Sequence, residues 1–326
     1  MAETEHHSKF WKYFFSDGYR IAINVFTSIG IILFIIVMYL TYSRKKGSNF
    51  KLIFIIMINV MISGILSPLG YLLNWKVENE NTKQKELLFG DSDGALCQTQ
   101  SFILAFFQSS RETFVTFLTF IVFVNYFKSK NLNIDKLVYK VLVQAIGYGI
   151  PLIANLTYSL IGAFGESHLF CFTKLDTSGV TSICGTIHFT YIFVLLLLSL
   201  FFILYIIIKD LCCKTYDPWT DDDNGNENQK GCMNSELIKI IFYPIAQIFS
   251  MSYIFYYRFR DYFINEVKNS NTVAGTAAVI NAISSIIYTL IFIFSNNIFV
   301  CHNKKRLTNE EIENAINKTE SMTEIK

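Results

Sequence analysis

Arg111 and Glu112 are the only Asp, Glu, Lys or Arg side chains in the stretch 95–127. A charge inside so apolar a run persists where it lines water, pairs with an opposite charge or binds a ligand. Around them, Gln108, Ser109, Thr116 and Thr119 stand three, four and seven positions from Glu112, the spacings that share one face of a helix. This combination offers recognition rather than turnover. The guanidinium can anchor an anion such as a phosphate, or act as the pivot of a polar lock between helices that breaks on activation. The plainer alternative is a permanent interhelical network with no ligand contact. Candidate partners from other stretches are Asn59, His188, Gln247, Asn281 and Ser285. The set expected to form a ligand pocket or activation lock is Gln100, Gln108, Arg111, Glu112, Thr116, His188, Gln247 and Asn281. Neighbouring positions on a helix point about 100° apart, so Arg111 and Glu112 are each expected to pair elsewhere rather than with one another.

Bond-making chemistry finds no residues to carry it. No phosphate-binding glycine loop, nucleophile elbow or metal-spaced His/Cys/carboxylate set can be assembled. The acidic stretch 217–227 suggests a calcium loop. Aligning Gly225 with the obligatory glycine puts Thr220 and Gly231 at the first and last ligand positions, so the pattern fails. It reads instead as a solvated loop. His6 and His7 alone make a poor metal site. Neither enzyme activity, cofactor nor metal is expected.

The elements that must hold these residues follow from composition. Of 326 residues, 52% are hydrophobic and 17% charged, against roughly 25% charged in soluble chains. With a mean hydropathy of +0.36, the chain reads as an all-α membrane protein. A net charge of +2 argues against nucleic acid as the main partner, since phosphate binding needs a concentrated basic face. Seven uncharged or nearly uncharged runs cover 21–42, 52–75, 95–127, 141–164, 186–208, 240–257 and 272–301. About 20 residues at about 1.5 Å each cross about 30 Å of hydrocarbon, and lipid forces them to be helical. Of the 28 basic and 26 acidic side chains, only Arg111 and Glu112 fall inside these runs.

Placing the amino terminus outside leaves seventeen Lys and Arg on the inner side against ten on the outer, which fixes the carboxyl terminus as cytoplasmic. The domains are then a short extracellular segment 1–20, a seven-helix bundle 21–301, and a cytoplasmic tail 302–326 with a short interfacial helix after Lys304, Lys305 and Arg306. No cleavable signal peptide is expected in 1–20. Arg111 lies 14 residues beyond Cys97, about 21 Å down the helix and past mid-membrane.

In this topology Cys97, Cys171 and Cys184 lie on the oxidising side, where a disulfide is permitted. Cys97 with Cys171 is the expected bridge, with Cys184 as the alternative partner and three reduced thiols as the plainer reading. Cys212, Cys213 and Cys301 are juxtamembrane acylation candidates on the inner side. Pro68, Pro151 and Pro244 fall in three of the runs, and Pro244 is the candidate hinge in the sixth.

Seven helices, a cysteine opening the third, a cysteine in the second outer loop and single prolines in three helices together resemble a G protein-coupled receptor. The string Cys97-Gln98-Thr99-Gln100-Ser101-Phe102 resembles the C-x-x-Q-x-F start of helix three in the cyclic-AMP-receptor-like group, or class E. Asn125-Tyr126-Phe127 stands where rhodopsin-like receptors carry Asp/Glu-Arg-Tyr, and Asn296-Asn297-Ile298 lacks their Asn-Pro-x-x-Tyr. Without a lysine in 272–301, a retinal Schiff base is also missing. The resemblance implies a plasma-membrane receptor for a small extracellular ligand, with a cyclic nucleotide as one candidate, acting on a heterotrimeric G protein. The inner residues expected to face that partner are Arg44, Lys45, Lys46, Lys128, Lys136, Lys304, Lys305 and Arg306. The rival reading is a seven-helix transporter or channel with Arg111 and Glu112 on its path.

Overall fold

A computed structural model describes residues 18–44, 51–73, 76–78, 85–87, 94–127, 136–167, 169–174, 180–215, 239–263 and 270–296. These residues are mostly helical. The helices are α1 (Gly18–Arg44), α2 (Leu52–Gly70), α3 (Ala95–Phe127), α4 (Leu137–Leu160), α5 (Val180–Thr215), α6 (Phe242–Phe263) and α7 (Ser270–Ser295). Two antiparallel hairpins join them: β1 (Lys76–Glu78) with β2 (Lys85–Leu87), and β3 (Phe164–Ser167) with β4 (Phe170–Thr173).

Five helices, α1, α2, α4, α5 and α7, are long and apolar enough to cross a membrane, consistent with an integral multi-pass protein. The other two are less apolar because they carry the polar side chains that face inward. α3 holds Gln108, Arg111 and Glu112, all buried, and α6 holds buried Gln247 and Ser250 besides several tyrosines. By contrast α1, α4 and α5 expose large apolar side chains, among them Ile32, Ile35, Ile153, Leu160, Phe201 and Ile208.

α3 occupies the middle, packing against α2, α4, α5, α6 and both strands of the second hairpin, while α1 packs against α7 and α2. Two apolar cores fill the space along it. One lies at the hairpin end, around Leu104, Tyr158, Phe164, Phe170, Phe172 and Met251. The other lies toward the opposite end, around Met57, Phe114, Leu118, Tyr243 and Phe292.

Each helix takes the place of one expected run, with different limits. The fourth run was drawn to 164, but α4 stops at Leu160 and Gly162 adopts φ 69°. There the Gly162 N–H donates to Ser159 O at 3.1 Å and the Ala163 N–H to Tyr158 O at 2.9 Å, the double bond by which a left-handed glycine closes a helix. Hydropathy is blind to this stop because the residues beyond it are as apolar as those before. The same turn aims the chain into β3. Where α4 crosses α3, Gly147 lies against the Phe114 ring, and a Cβ there would collide with it.

Candidate functional site

Most buried hydroxyls of α3 find a partner within the helix. Those of Ser101, Ser109, Thr113, Thr116 and Thr119 donate to the carbonyl four residues earlier, at 2.6–2.9 Å, so these polar groups are satisfied in an apolar bundle by their own backbone, at the small cost to the helix that such back-bonding carries. Some also reach a neighbour. Thr113 lies 2.7 Å from the Tyr191 hydroxyl, and Thr116 lies 3.1 Å from Ser199 Oγ, tying α3 to α5.

Arg111 and Glu112 are both fully buried. Contrary to expectation they pair with one another, Arg111 Nε donating to Glu112 Oε1 at 2.9 Å. The 100° offset applies to the Cα–Cβ directions, and the long arginine side chain bends back across it. Arg111 Nη1 donates to Asn281 Oδ1 at 2.7 Å and to Ser284 Oγ at 3.0 Å. Asn281 Nδ2 in turn donates to Ser67 Oγ at 3.0 Å. A chain of bonds thus runs Glu112–Arg111–Asn281–Ser67 and joins α3, α7 and α2. The guanidinium also lies 5.6 Å from the Tyr288 ring centroid, within cation–π range.

Gln247 of α6 is within electrostatic reach of the Glu112 carboxylate, yet neither of its amide atoms is in hydrogen-bond geometry with a described residue. Gln108 reaches α6 with a weak contact, Nε2 to Met251 Sδ at 3.5 Å.

The other expected site residues belong elsewhere. Gln100 is bound at both ends of its amide: Nε2 donates to Gly70 O at 2.9 Å and Oε1 accepts from Cys171 N–H at 3.0 Å. It ties the second hairpin to α2 and α3 and does not join Arg111. His188 sits beneath that hairpin among the rings of Phe172, Tyr158 and Phe189. Asn59 receives the Tyr148 hydroxyl at 3.0 Å, and Ser285 donates to its own helix at Ala282 O.

The disulfide joins Cys97 to Cys171, leaving Cys184 buried and free. It is reinforced by Gln98 Nε2 donating to Phe164 O at 2.9 Å and Ser101 Oγ to Phe172 O at 3.2 Å. All four β4 residues are buried.

Pro244 is the third residue of α6, where its missing N–H has no acceptor within that helix, and it follows a turn at Ile241 that separates α6 from the helical residues 239 and 240. Arg44 ends α1, and Lys136 is the exposed residue preceding α4. Lys45, Lys46, Lys128, Lys304, Lys305, Arg306 and Cys301 lie outside the described residues, as do 1–17, the 217–227 stretch and the tail. Among the described residues no group of His, Cys, Asp or Glu could hold a metal ion.

Ser67, Ser284 and Tyr288 are the residues that sequence reasoning missed. Ser284 and Tyr288 stand three and seven positions beyond Asn281, the same one-face spacing that picked out the α3 stripe. Applied to the seventh run, that rule would have found them. No protein-family model and no curated protein matches this chain.

Proposed function

We propose that this chain is a seven-transmembrane receptor of the G protein-coupled kind, resembling the cyclic-AMP-receptor-like group. It passes binding of a small extracellular ligand at the hairpin end to a heterotrimeric G protein at the opposite end. The observation that carries this reading is the chain Glu112–Arg111–Asn281–Ser67, buried between the two apolar cores. It bonds the central helix directly to α7 and, through Asn281, to α2, while α6 lies alongside. A charged centre bonded to some neighbours and merely adjacent to another can be remade in a second arrangement, which is what a two-state bundle requires.

The orientation has support from two sides. The basic residues favour an outer amino terminus, and the Cys97–Cys171 bridge belongs in an oxidising compartment. The apolar faces of α1, α4 and α5 suit lipid. A plasma-membrane location follows from the receptor reading.

The test is nucleotide exchange on heterotrimeric G proteins in membranes with and without the protein, challenged with cyclic nucleotides and a panel of small polar metabolites. Compound-dependent exchange that needs the protein is the expected result. Silence across a broad G-protein set, with the protein at the cell surface, overturns it. The second reading, a transporter or channel, is favoured by the buried charged pair alone, and flux of labelled solutes across proteoliposomes would decide for it.

A further inference from the structure

The polar centre contains more hydrogen-bonding atoms than protein partners. Arg111 Nη2 and Glu112 Oε2, the second contacts of the charged pair, have no partner among the described residues. The same holds for Gln247 Nε2 and Oε1 and for the hydroxyls of Tyr243 and Tyr288. All five side chains are fully buried. They are also neighbours: Gln247 lies close to Glu112 and Ser250 close to Tyr288, each pair just outside hydrogen-bond geometry, and Tyr288 is within electrostatic reach of Glu112. The Tyr288 ring lies 5.6 Å from the guanidinium and 6.0 Å from the Tyr243 ring.

The chemistry of the unmatched atoms selects their ligand. Arg111 Nη2 and Gln247 Nε2 donate, Glu112 Oε2 and Gln247 Oε1 accept, and the two phenols do either. A cation drawn to Glu112 meets the Arg111 charge beside it, and an anion drawn to Arg111 meets Glu112. A small neutral molecule that donates and accepts at once satisfies both sides. Water does this, and buried water typically makes about three such bonds.

We propose that the centre binds ordered water bridging Arg111 and Glu112 on α3 to Gln247 on α6 and to Tyr288 and Tyr243. α7 is then held to the charged pair by direct bonds, α2 through Asn281, and α6 by exchangeable molecules. The proposal does not depend on the receptor reading, since either a receptor or a transporter would contain it.

X-ray radiolytic hydroxyl labelling of the full-length protein in nanodiscs, with mass spectrometry, tests it, because radicals made from bound water oxidise the side chains touching that water. Normalised for intrinsic reactivity, Tyr243 and Tyr288 are expected to label several-fold faster than Phe114 and Phe292. These are equally buried in the same apolar cluster but carry no polar atom to hold a water. Gln247→Leu, or Gln247→Met should the first variant fail to reach the membrane, is expected to slow Tyr288 labelling several-fold while exposed Tyr139 is unchanged. Tyrosines that label no faster than the two phenylalanines overturn the proposal, as they would if Gln247 simply turned to bond Glu112 directly. Fast labelling indifferent to Gln247 removes Gln247 from the water site and overturns the bridge as proposed.

Discussion

The hairpin end and the polar centre are both buried around α3, yet they are fastened differently. At the hairpin end a covalent bridge and the side chains of Gln98, Gln100 and Ser101 join β3, β4, α2 and α3 atom to atom. At the centre, Arg111 and Glu112 use part of their capacity on Asn281, Ser284 and each other, and keep one nitrogen and one oxygen unmatched. The first arrangement permits one geometry. The second leaves hydrogen-bonding capacity uncommitted among the described residues.

Breaking the centre should give the largest effect. Arg111→Leu strands a buried carboxylate and is expected to cost about 3–5 kcal/mol, read as loss of folded protein and a lower Tm in detergent. The sharper result is the double variant Arg111→Leu with Glu112→Leu, which removes both charges and should recover much of that loss. If the double variant is as unstable as the single, the pair contributes geometry rather than charge balance. Next comes Cys97→Ser, expected to cost about 2–5 kcal/mol and to lower the yield of folded protein. An unchanged protein would mean that the hairpin is held by packing alone.

Smaller effects separate the two regions further. Gln100→Leu leaves Gly70 O and Cys171 N–H without their amide and is expected to cost about 1–3 kcal/mol, with the loss confined to the hairpin end in hydrogen exchange. Gly147→Ala drives a methyl into Phe114 and should cost about 1–3 kcal/mol. Two positions along, Gly149 has nothing within 4 Å of the corresponding Cβ. Gly149→Ala should stay neutral or gain up to about 1 kcal/mol from helix propensity, the smallest effect of the series.

Much of this was legible in the sequence, for reasons that also mark where legibility stopped. A run of 20 apolar residues can only be a helix in lipid, so the seven stretches gave the seven helices, and the α3 stripe gave the buried face that contains Arg111. Asn281 was visible as a polar residue in an apolar run. Its bond to Arg111 was not, because which helix faces which depends on packing across 170 residues of chain. Gln100 was placed with the ligand pocket because a buried amide looks alike whether it meets a ligand or a backbone. Only the positions of Gly70 and Cys171 tell them apart. The hairpin escaped notice because Phe164 reads as the end of the fourth apolar run and Cys171 as part of an outer loop, and the decisive signal was a single residue, Gly162.

The fastening of the hairpin sets an order of events during synthesis. Cys97 and Cys171 are 74 residues apart, and at about 5–20 residues per second the first waits about 4–15 s for the second. In that interval Gln100 can already grip Gly70, but its carbonyl oxygen, the Gln98 amide and the Ser101 hydroxyl lack the strands they will hold. The start of α3 is therefore completed only after α4 has been made and the chain has turned at Gly162. Cys184 emerges 13 residues after Cys171, so the correct thiol arrives first and the competing one reaches a bundle whose Cys97 can already be closed.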